Sequence, residues 1–284
     1  MKYLLFILLL TLTSHSVSVL ATEGIIKPPI GRIAIIIDGN SPDPDDIGAT
    51  PVMLGLLNAT GLNDRLVHLS HSCDLEPFRN KARWQINAKN EQRRQNKLDE
   101  LSETGISLFG PFNQLRSFYN CRTHQGAATQ DLVDAINNSS EQDPLWIIEA
   151  GEPDLIGYAL EIANKGKAQH VHVVSHHPAN DNSGDYFTWQ QILDFGVTEH
   201  QIGDQNVGLQ GPIQQWDWAK EHSTEGFNFI WEMMAYAEQD GVVPFQSNKF
   251  DCSDAGMIYW WITGANNGGN NHATPTEIKR VLLR

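Results

Sequence analysis

Cysteine, basic charge and long apolar runs are all scarce in this chain. Only three cysteines, Cys73, Cys121 and Cys252, stand among 284 residues. None has metal-ligand spacing with another cysteine or with a histidine, which argues against a zinc site built on thiolates. An odd count in an oxidising compartment permits one disulfide and leaves a thiol over; the sequence does not say which two pair. Lysine and arginine total 20 against 34 aspartates and glutamates. A balance this acidic argues against nucleic acid and anionic membrane as partners. No internal repeat is present, and beyond the first 21 residues no apolar run is long enough to cross a bilayer.

The N-terminus has a single Lys2, an apolar run from Tyr3 to Leu12, then a polar stretch ending Val19-Leu20-Ala21. That pattern reads as a signal peptide over 1–21 with a small residue before the cut, and places the mature protein in the periplasm or outside the cell. Removing it takes away one basic residue, leaving 19 against 34 acidic ones, a net of −15. Within what is left, 30–284 is long enough for one domain with a substantial core.

The most informative stretch is Ile33-Ala-Ile-Ile-Ile-Asp38-Gly-Asn40-Ser-Pro-Asp43-Pro-Asp45-Asp46. A β-branched apolar run is what a parallel strand buried on both faces looks like. It ends in four carboxylates and an amide within nine residues, and an apolar helical pattern follows at once. Open α/β sheets build their sites just past the carboxyl ends of strands. Carboxylates this close repel unless something cationic sits among them, and oxygen-only donors with no nearby Cys or His point to a hard cation, Ca²⁺ or Mg²⁺. A solvated acidic turn with Asp46 as helix N-cap is the plainer alternative.

Further strands are expected at Leu66–Leu69, Leu145–Ile148, Val171–Val174 and Ile106–Phe109. Helical patterns fall at Ile47–Leu57, Glu76–Glu103, Thr129–Ile136, Leu155–Asn164, Ile213–Glu221, Phe227–Gln239, Ala255–Ile262 and Pro275–Leu283. Such alternation predicts a doubly wound, mostly parallel sheet with helices on both faces. In a parallel sheet all carboxyl ends share one edge. The residues that follow the strands there are the early acids, then Ser70-His71-Ser72-Cys73-Asp74, Glu149-Ala150-Gly151-Glu152-Pro153-Asp154 and Ser175-His176-His177-Pro178-Ala179-Asn180-Asp181-Asn182. Together they predict a pocket of acids, imidazoles and amides.

Three pieces, in this order, resemble the nucleoside hydrolase-like superfamily, that is, the inosine/uridine-preferring nucleoside hydrolase fold. The opening segment is similar to its strand followed by Asp-x-Asp-Pro-Gly-x-Asp-Asp. Glu149–Leu160 resembles its strand, Gly-x-x-x-Asn/Asp turn and helix. Cys252-Ser253-Asp254-Ala255-Gly256-Met257 falls where the family places a late metal-binding Asp at the head of a helix. The resemblance implies Ca²⁺ held by Asp46, Asp254 and a backbone carbonyl near Glu152 or Pro153. It makes Asp38 a supporting residue and sets Ser72 near a substrate-binding position.

One departure stands out. Where the family has the Asp that binds calcium and takes a proton from water, this chain has Asn40, with Ser-Pro-Asp-Pro in place of Pro-Gly-x. Asn can ligate through its carbonyl but cannot act as a base, so Asp43 or Asp45 inherits that role. In this respect the chain is closer to exported relatives linked with polysaccharide use than to cytosolic purine-salvage enzymes. The implied chemistry is hydrolysis of a glycosidic or N-ribosidic bond through an oxocarbenium-like state. His176 or His177 donates a proton to the leaving group, Asp38, Ser72 and Glu152 contact substrate, and Asn180 and Asn182 bond sugar hydroxyls.

His68 alternates with apolar neighbours and is expected to be packed rather than catalytic. Phe227, Ile230, Trp231 and Met234 form one helical stripe and are expected in the core, whereas Trp260 and Trp261 are not expected to face inward together. Two functional classes follow: an exported Ca²⁺-dependent glycosyl hydrolase acting on a sugar or nucleoside, or a non-catalytic carbohydrate-binding relative that kept the metal site. The oligomeric state is left open.

Overall fold

The computed structural model describes residues 26–39, 45–75, 88–239, 250–264 and 272–284. The leader over 1–21, Asn40, Asp43 and the loop from 265 to 271 therefore lie outside the described residues, as does the first part of the helix expected from Glu76.

Six strands, β1 (Arg32–Ile37), β2 (Leu66–His71), β3 (Phe118–Asn120), β4 (Leu145–Ala150), β5 (Val171–Ser175) and β6 (Thr198–Gln201), form one sheet. Their order is β3-β2-β1-β4-β5-β6, and every neighbouring pair runs parallel. The chain winds outward from β1 through β2 to β3, then returns to β4 on the opposite side of β1. That reversal leaves a crevice between the carboxyl ends of β1 and β4, where ligands bind in open α/β sheets.

The helices that cover the sheet are α1 (Asp45–Ala59), α2 (Ala88–Phe109), α3 (Cys121–Asn137), α4 (Asp154–Ile162), α5 (Glu225–Gln239), α6 (Ala255–Ile262) and α7 (Pro275–Leu282). They divide between the two faces as the pleat of β1 dictates. Ile33, Ile35 and Ile37 pack with residues of α1, α2, α5, α6 and α7. Ala34 and Ile36 pack with residues of α3 and α4. Burying one such isoleucine is worth about 1.5–3 kcal/mol, so β1 anchors both layers. Helix α1 is buried continuously from Asp46 to Leu57, because α2, α5, α6 and α7 all wrap it.

Several expectations are corrected. Ile106–Phe109 is the last turn of α2, not a strand. The strand beyond β2 is the three-residue β3 instead, and β6, mostly exposed, was not foreseen. The Ile213–Glu221 helix is a short 3₁₀ turn followed by one helical turn. Trp260 and Trp261 are both buried, at 5% and 0% exposure, since α6 is covered all round. In α5 the buried stripe includes Phe229, Ile230, Met233 and Met234. Trp231 and Phe227 pack only on its flank, with the Lys220 ammonium 4.7 Å from the Trp231 ring centre. His68 is packed as expected, fully buried between Asp131 and Ser70. No helix among the described residues is long and apolar enough to cross a membrane.

Candidate metal centre

Chain direction alone brings the site together. β1 ends at Ile37, and the Asp38 amide donates to the Ala150 carbonyl across the crevice at 2.8 Å. The loop after β2 is stitched to the same point, with Cys73 N donating to Ile37 O at 3.1 Å and Asp74 N to Asp38 O at 3.3 Å. Gly151, the first residue after β4, has φ 137° and lies so close to Asp38 that a Cβ would overlap that side chain. Only glycine allows both the backbone angle and the contact. Asp154 opens α4 and accepts from the amides of Asp185, Tyr186 and Phe187 at 2.9, 3.0 and 2.8 Å, which fixes the loop after β5.

Three carboxylates converge at the crevice. One oxygen each from Asp45, Asp46 and Asp254 lies within 4.8 Å of the others. Asp45 and Asp46 form the first turn of α1, and Asp254 immediately precedes α6, more than two hundred positions away in the chain. Asp46 and Asp254 are 1% and 2% exposed. Both Asp46 oxygens are buried and accept no hydrogen bond. Burial first, then the charges of Asp38, Asp45 and Asp254, push the Asp46 carboxyl well above the usual range.

Two unit charges at such a separation repel by about 3 kcal/mol at an effective dielectric of about 20. A proton on one carboxyl neutralises one group of the four. A divalent cation neutralises two and offers every oxygen a partner. The donor set is entirely oxygen, and the orphaned, buried Asp46 carboxylate is what such an ion satisfies. The residues fit a hard cation.

Around this cluster lie further titratable groups. Glu149, in β4, is fully buried with neither oxygen partnered. The nearby Ser175 hydroxyl has one hydrogen and gives it to Asp181 at 2.5 Å. Burial and the charge of Asp181 raise the Glu149 carboxyl well above its ordinary value. Glu152 is pushed up to about 10, by burial and then by Asp74, Asp38, Asp154 and Asp185. Asp74 is answered by Arg122, whose Nη2 lies 2.5 Å from its carboxylate.

His176 Nε2 is 3.0 Å from Asp254 Oδ1. At Nδ1 two groups compete: the Gln205 amide, donating at 3.3 Å, requires a neutral ring, while Asp204 at 3.8 Å favours the imidazolium. Burial alone would lower the His176 pKa; Asp204 and Asp254 outweigh it and raise it to about 9. Asp204 itself is held well below the usual carboxylate range, first by the His176 hydrogen bond. Nε2–H donation to Asp254 is common to both ring states.

The remaining expected site residues fall at varying distances from this centre. Ser72 is fully buried on the β2 loop with φ 55°, and its hydroxyl lies 3.1 Å from His71 Nδ1. Pro153 sits just ahead of α4, and its carbonyl accepts the helix's first bond, from Gly157 at 2.9 Å. His177 caps a one-turn helix, Pro178–Asp181, accepting from Ala179 N at 3.0 Å. Asn182 is exposed and donates to the Pro178 carbonyl at 2.5 Å, and the Asn180 carbonyl receives the Ser183 hydroxyl at 2.6 Å. These three residues occupy the rim rather than the cluster.

Sequence reasoning sets Asp74, Glu149 and Asp181 among the strand-end residues of the pocket but gives them no role, and it does not single out Asp204. For Glu149 a signal existed: a carboxylate set into an otherwise apolar strand, Leu145-Trp-Ile-Ile-Glu-Ala.

The architecture matches a solved plant nucleoside hydrolase with a TM-score of 0.50 at 10% identity, covering 84% of this chain and 80% of that one. The fold is therefore nucleoside hydrolase-like. An effector protein also aligns over 94% of this chain and 95% of its own, with a TM-score of 0.45 and 11% identity. No protein-family model matches the chain. At the sequence level it is 51% identical over 260 residues to a protein of Formosa agariphila named "Uncharacterized protein P22", covering 92% of this chain and 93% of that protein. The chain belongs to the family of that protein.

Proposed function

We propose that this protein is an exported, Ca²⁺-dependent hydrolase that cleaves a glycosidic or N-ribosidic bond of a small sugar or nucleoside. The observation that carries the reading is the convergence of Asp45, Asp46 and Asp254 around a buried carboxylate with no donor. The nucleoside hydrolase-like fold supports a hydrolase at this edge of the sheet.

When bound there, the cation supplies charge neutralisation and a seat for a water and vicinal sugar hydroxyls. Asp45, the partly accessible member of the trio, takes the proton from the attacking water, and Asp43, two positions earlier, is the second choice for that base. Asn40 contributes an amide carbonyl. Glu152, held protonated by burial and by its acidic neighbours, is placed in the chain to give a proton to the leaving group. His176 steadies Asp254 through Nε2. Ser72 and Asp38 line the approach; His177, Asn180 and Asn182 on the rim meet the parts of a sugar farthest from the scissile bond.

Asn40 favours a second reading, a carbohydrate-binding relative that keeps the metal and has lost the base. A sugar-release screen of the mature protein against nucleosides and oligosaccharides, with and without chelator, separates the two. Release that stops with chelator and with Asp45→Asn supports the hydrolase. Sugar binding without release, with activity appearing only in Asn40→Asp, supports the binding protein. Neither release nor binding overturns both.

A further inference from the structure

The register of the sheet sets two cysteines side by side. β2 pairs with β3 so that Ser70 lies opposite Tyr119 and His71 opposite Asn120. Cys73 follows two residues after β2, and Cys121 is the first residue of α3, directly after β3. Their sulfurs stand 3.0 Å apart although the residues are 48 apart in sequence. That is closer than two unbonded sulfurs ordinarily rest and about 1 Å from the disulfide bond length of about 2.05 Å. Both side chains are buried, at 0% and 1% exposure. Cys252 is on the other face of the sheet, packed with the layer that contains α1 and α6 rather than with the layer of the other two.

Next to Cys73 runs a buried chain of polar groups that the proposed chemistry does not use. The Cys73 thiol donates to Ser70 Oγ at 3.3 Å. Ser70 Oγ is 2.9 Å from His68 Nε2, and His68 Nδ1 is 2.8 Å from Asp131 Oδ2. Every link has a donor and an acceptor if the imidazole carries its hydrogen on Nδ1 toward Asp131. These bonds need Asp131 of α3 against β2, so they belong to the folded chain, where they hold Cys73 in place beside Cys121 rather than activating its thiol, which burial pushes up.

We propose that Cys73 and Cys121 close an intramolecular disulfide that ties the loop after β2 to the head of α3, with Cys252 remaining a thiol. The oxidant is a small-molecule disulfide such as oxidised glutathione. The Cys73 thiolate attacks one of its sulfurs, forming a mixed disulfide and expelling one glutathione thiolate, which takes up the proton. The Cys121 thiolate then attacks Cys73 Sγ and expels the second glutathione. Two protein thiols are oxidised and one disulfide is reduced to two thiols, so electrons and protons balance. The bond clamps Ser72 and Asp74, which flank Cys73, against α3, reinforcing the ion pair of Asp74 with Arg122 in that helix. Because both sulfurs are buried, the exchange belongs to folding, before α3 closes over β2, and the finished bond resists reductant until the protein unfolds.

The test is to refold the full mature chain in a glutathione redox buffer, alkylate free thiols under denaturing conditions, and map the peptides by mass. A cross-linked pair of peptides holding Cys73 and Cys121 is expected, with one alkylated thiol at Cys252 before reduction and three after it. Cys252→Ser is expected to keep the link. Cys121→Ser is expected to show two free thiols and to melt several degrees below oxidised wild type but level with reduced wild type. Three free thiols in refolded wild type, or a link that includes Cys252, overturns the proposal. Should Cys121→Ser fail to fold, the wild-type peptide map still decides.

Discussion

Asp46 concentrates the electrostatic conflict of the centre. It is 1% exposed, without a donor, and faces three other carboxyls. Replacing it with asparagine keeps the shape and removes a group that without an ion must carry a buried charge or take up a proton, and the new amide hydrogens meet acceptors. In chelator, Asp46→Asn is therefore expected to be more stable than wild type by about 1–3 kcal/mol, since an uncompensated buried charge is what costs most. In millimolar calcium the order is expected to reverse. Denaturant melts of both proteins under both conditions decide; a variant less stable in chelator would mean the carboxylates are not in conflict.

A second residue-scale effect lies at the sheet's far edge, away from the cluster. His172 Nδ1 is 2.9 Å from His200 Nε2, and His172 stacks on Trp146 with ring centres 4.1 Å apart. Burial, then the neighbouring imidazole, lowers the His172 pKa to about 4, and burial lowers that of His200. With a folded pKa below the unfolded value of about 6.5, the unfolded chain binds the extra proton between the two. The neutral pair's contribution is thus complete above about pH 6.5 and is lost as pH falls toward 4. Both rings are half exposed, so water screens the effect to on the order of 1 kcal/mol. Stability measured from pH 7.5 down to 4.5 is expected to fall less steeply in His172→Gln than in wild type. Equal slopes would show that the pair does not titrate with folding.

At the scale of elements, the turn that leaves β4 is the most constrained. Gly151 combines φ 137° with contact against Asp38. Gly151→Ala adds both backbone strain and overlap, for a cost of about 2–4 kcal/mol. It is also expected to weaken calcium binding, because the side chain displaced is one of the site's own. Chemical denaturation paired with a calcium titration checks both; an unchanged midpoint would mean the turn relaxes freely.

The elements also show what the sequence could and could not reveal. β1 and α1 were legible because each is apolar over its whole length and the acids between them are dense. Ile106–Phe109 misled because a four-residue apolar run fits a buried strand or a helix end equally well. β3 and β6 left no signature: one is three residues long, the other is the exposed Thr198-Glu-His-Gln. Trp260 and Trp261 were misjudged because amphipathic spacing assumes a wet side, and α6 has none. The link between Asp46 and Asp254 was readable only through the order of motifs. The Cys73–Cys121 pair needed the register, which no local pattern supplies.

For the whole molecule, a cation held by Asp45, Asp46 and Asp254, as proposed, would join chain segments more than two hundred residues apart, so its binding would add directly to folding stability. A ligand at one hundred times its dissociation constant adds about 2.7 kcal/mol, or about 5–10 °C in melting temperature for a chain of this size. Wild type stripped by chelator is expected to regain that much on adding calcium, in a single transition. Scanning calorimetry would show it; no shift at any calcium concentration would disconnect the acids from any ion.

The most direct measurement is calorimetric titration of calcium into the chelator-stripped full chain, alongside Asp46→Asn and Asp254→Asn. One ion per wild-type chain is expected, with binding lost in both variants, because their oxygens come from opposite ends of the sequence into one cluster. Wild type that binds no calcium, or variants that bind it as tightly as wild type, would contradict the account.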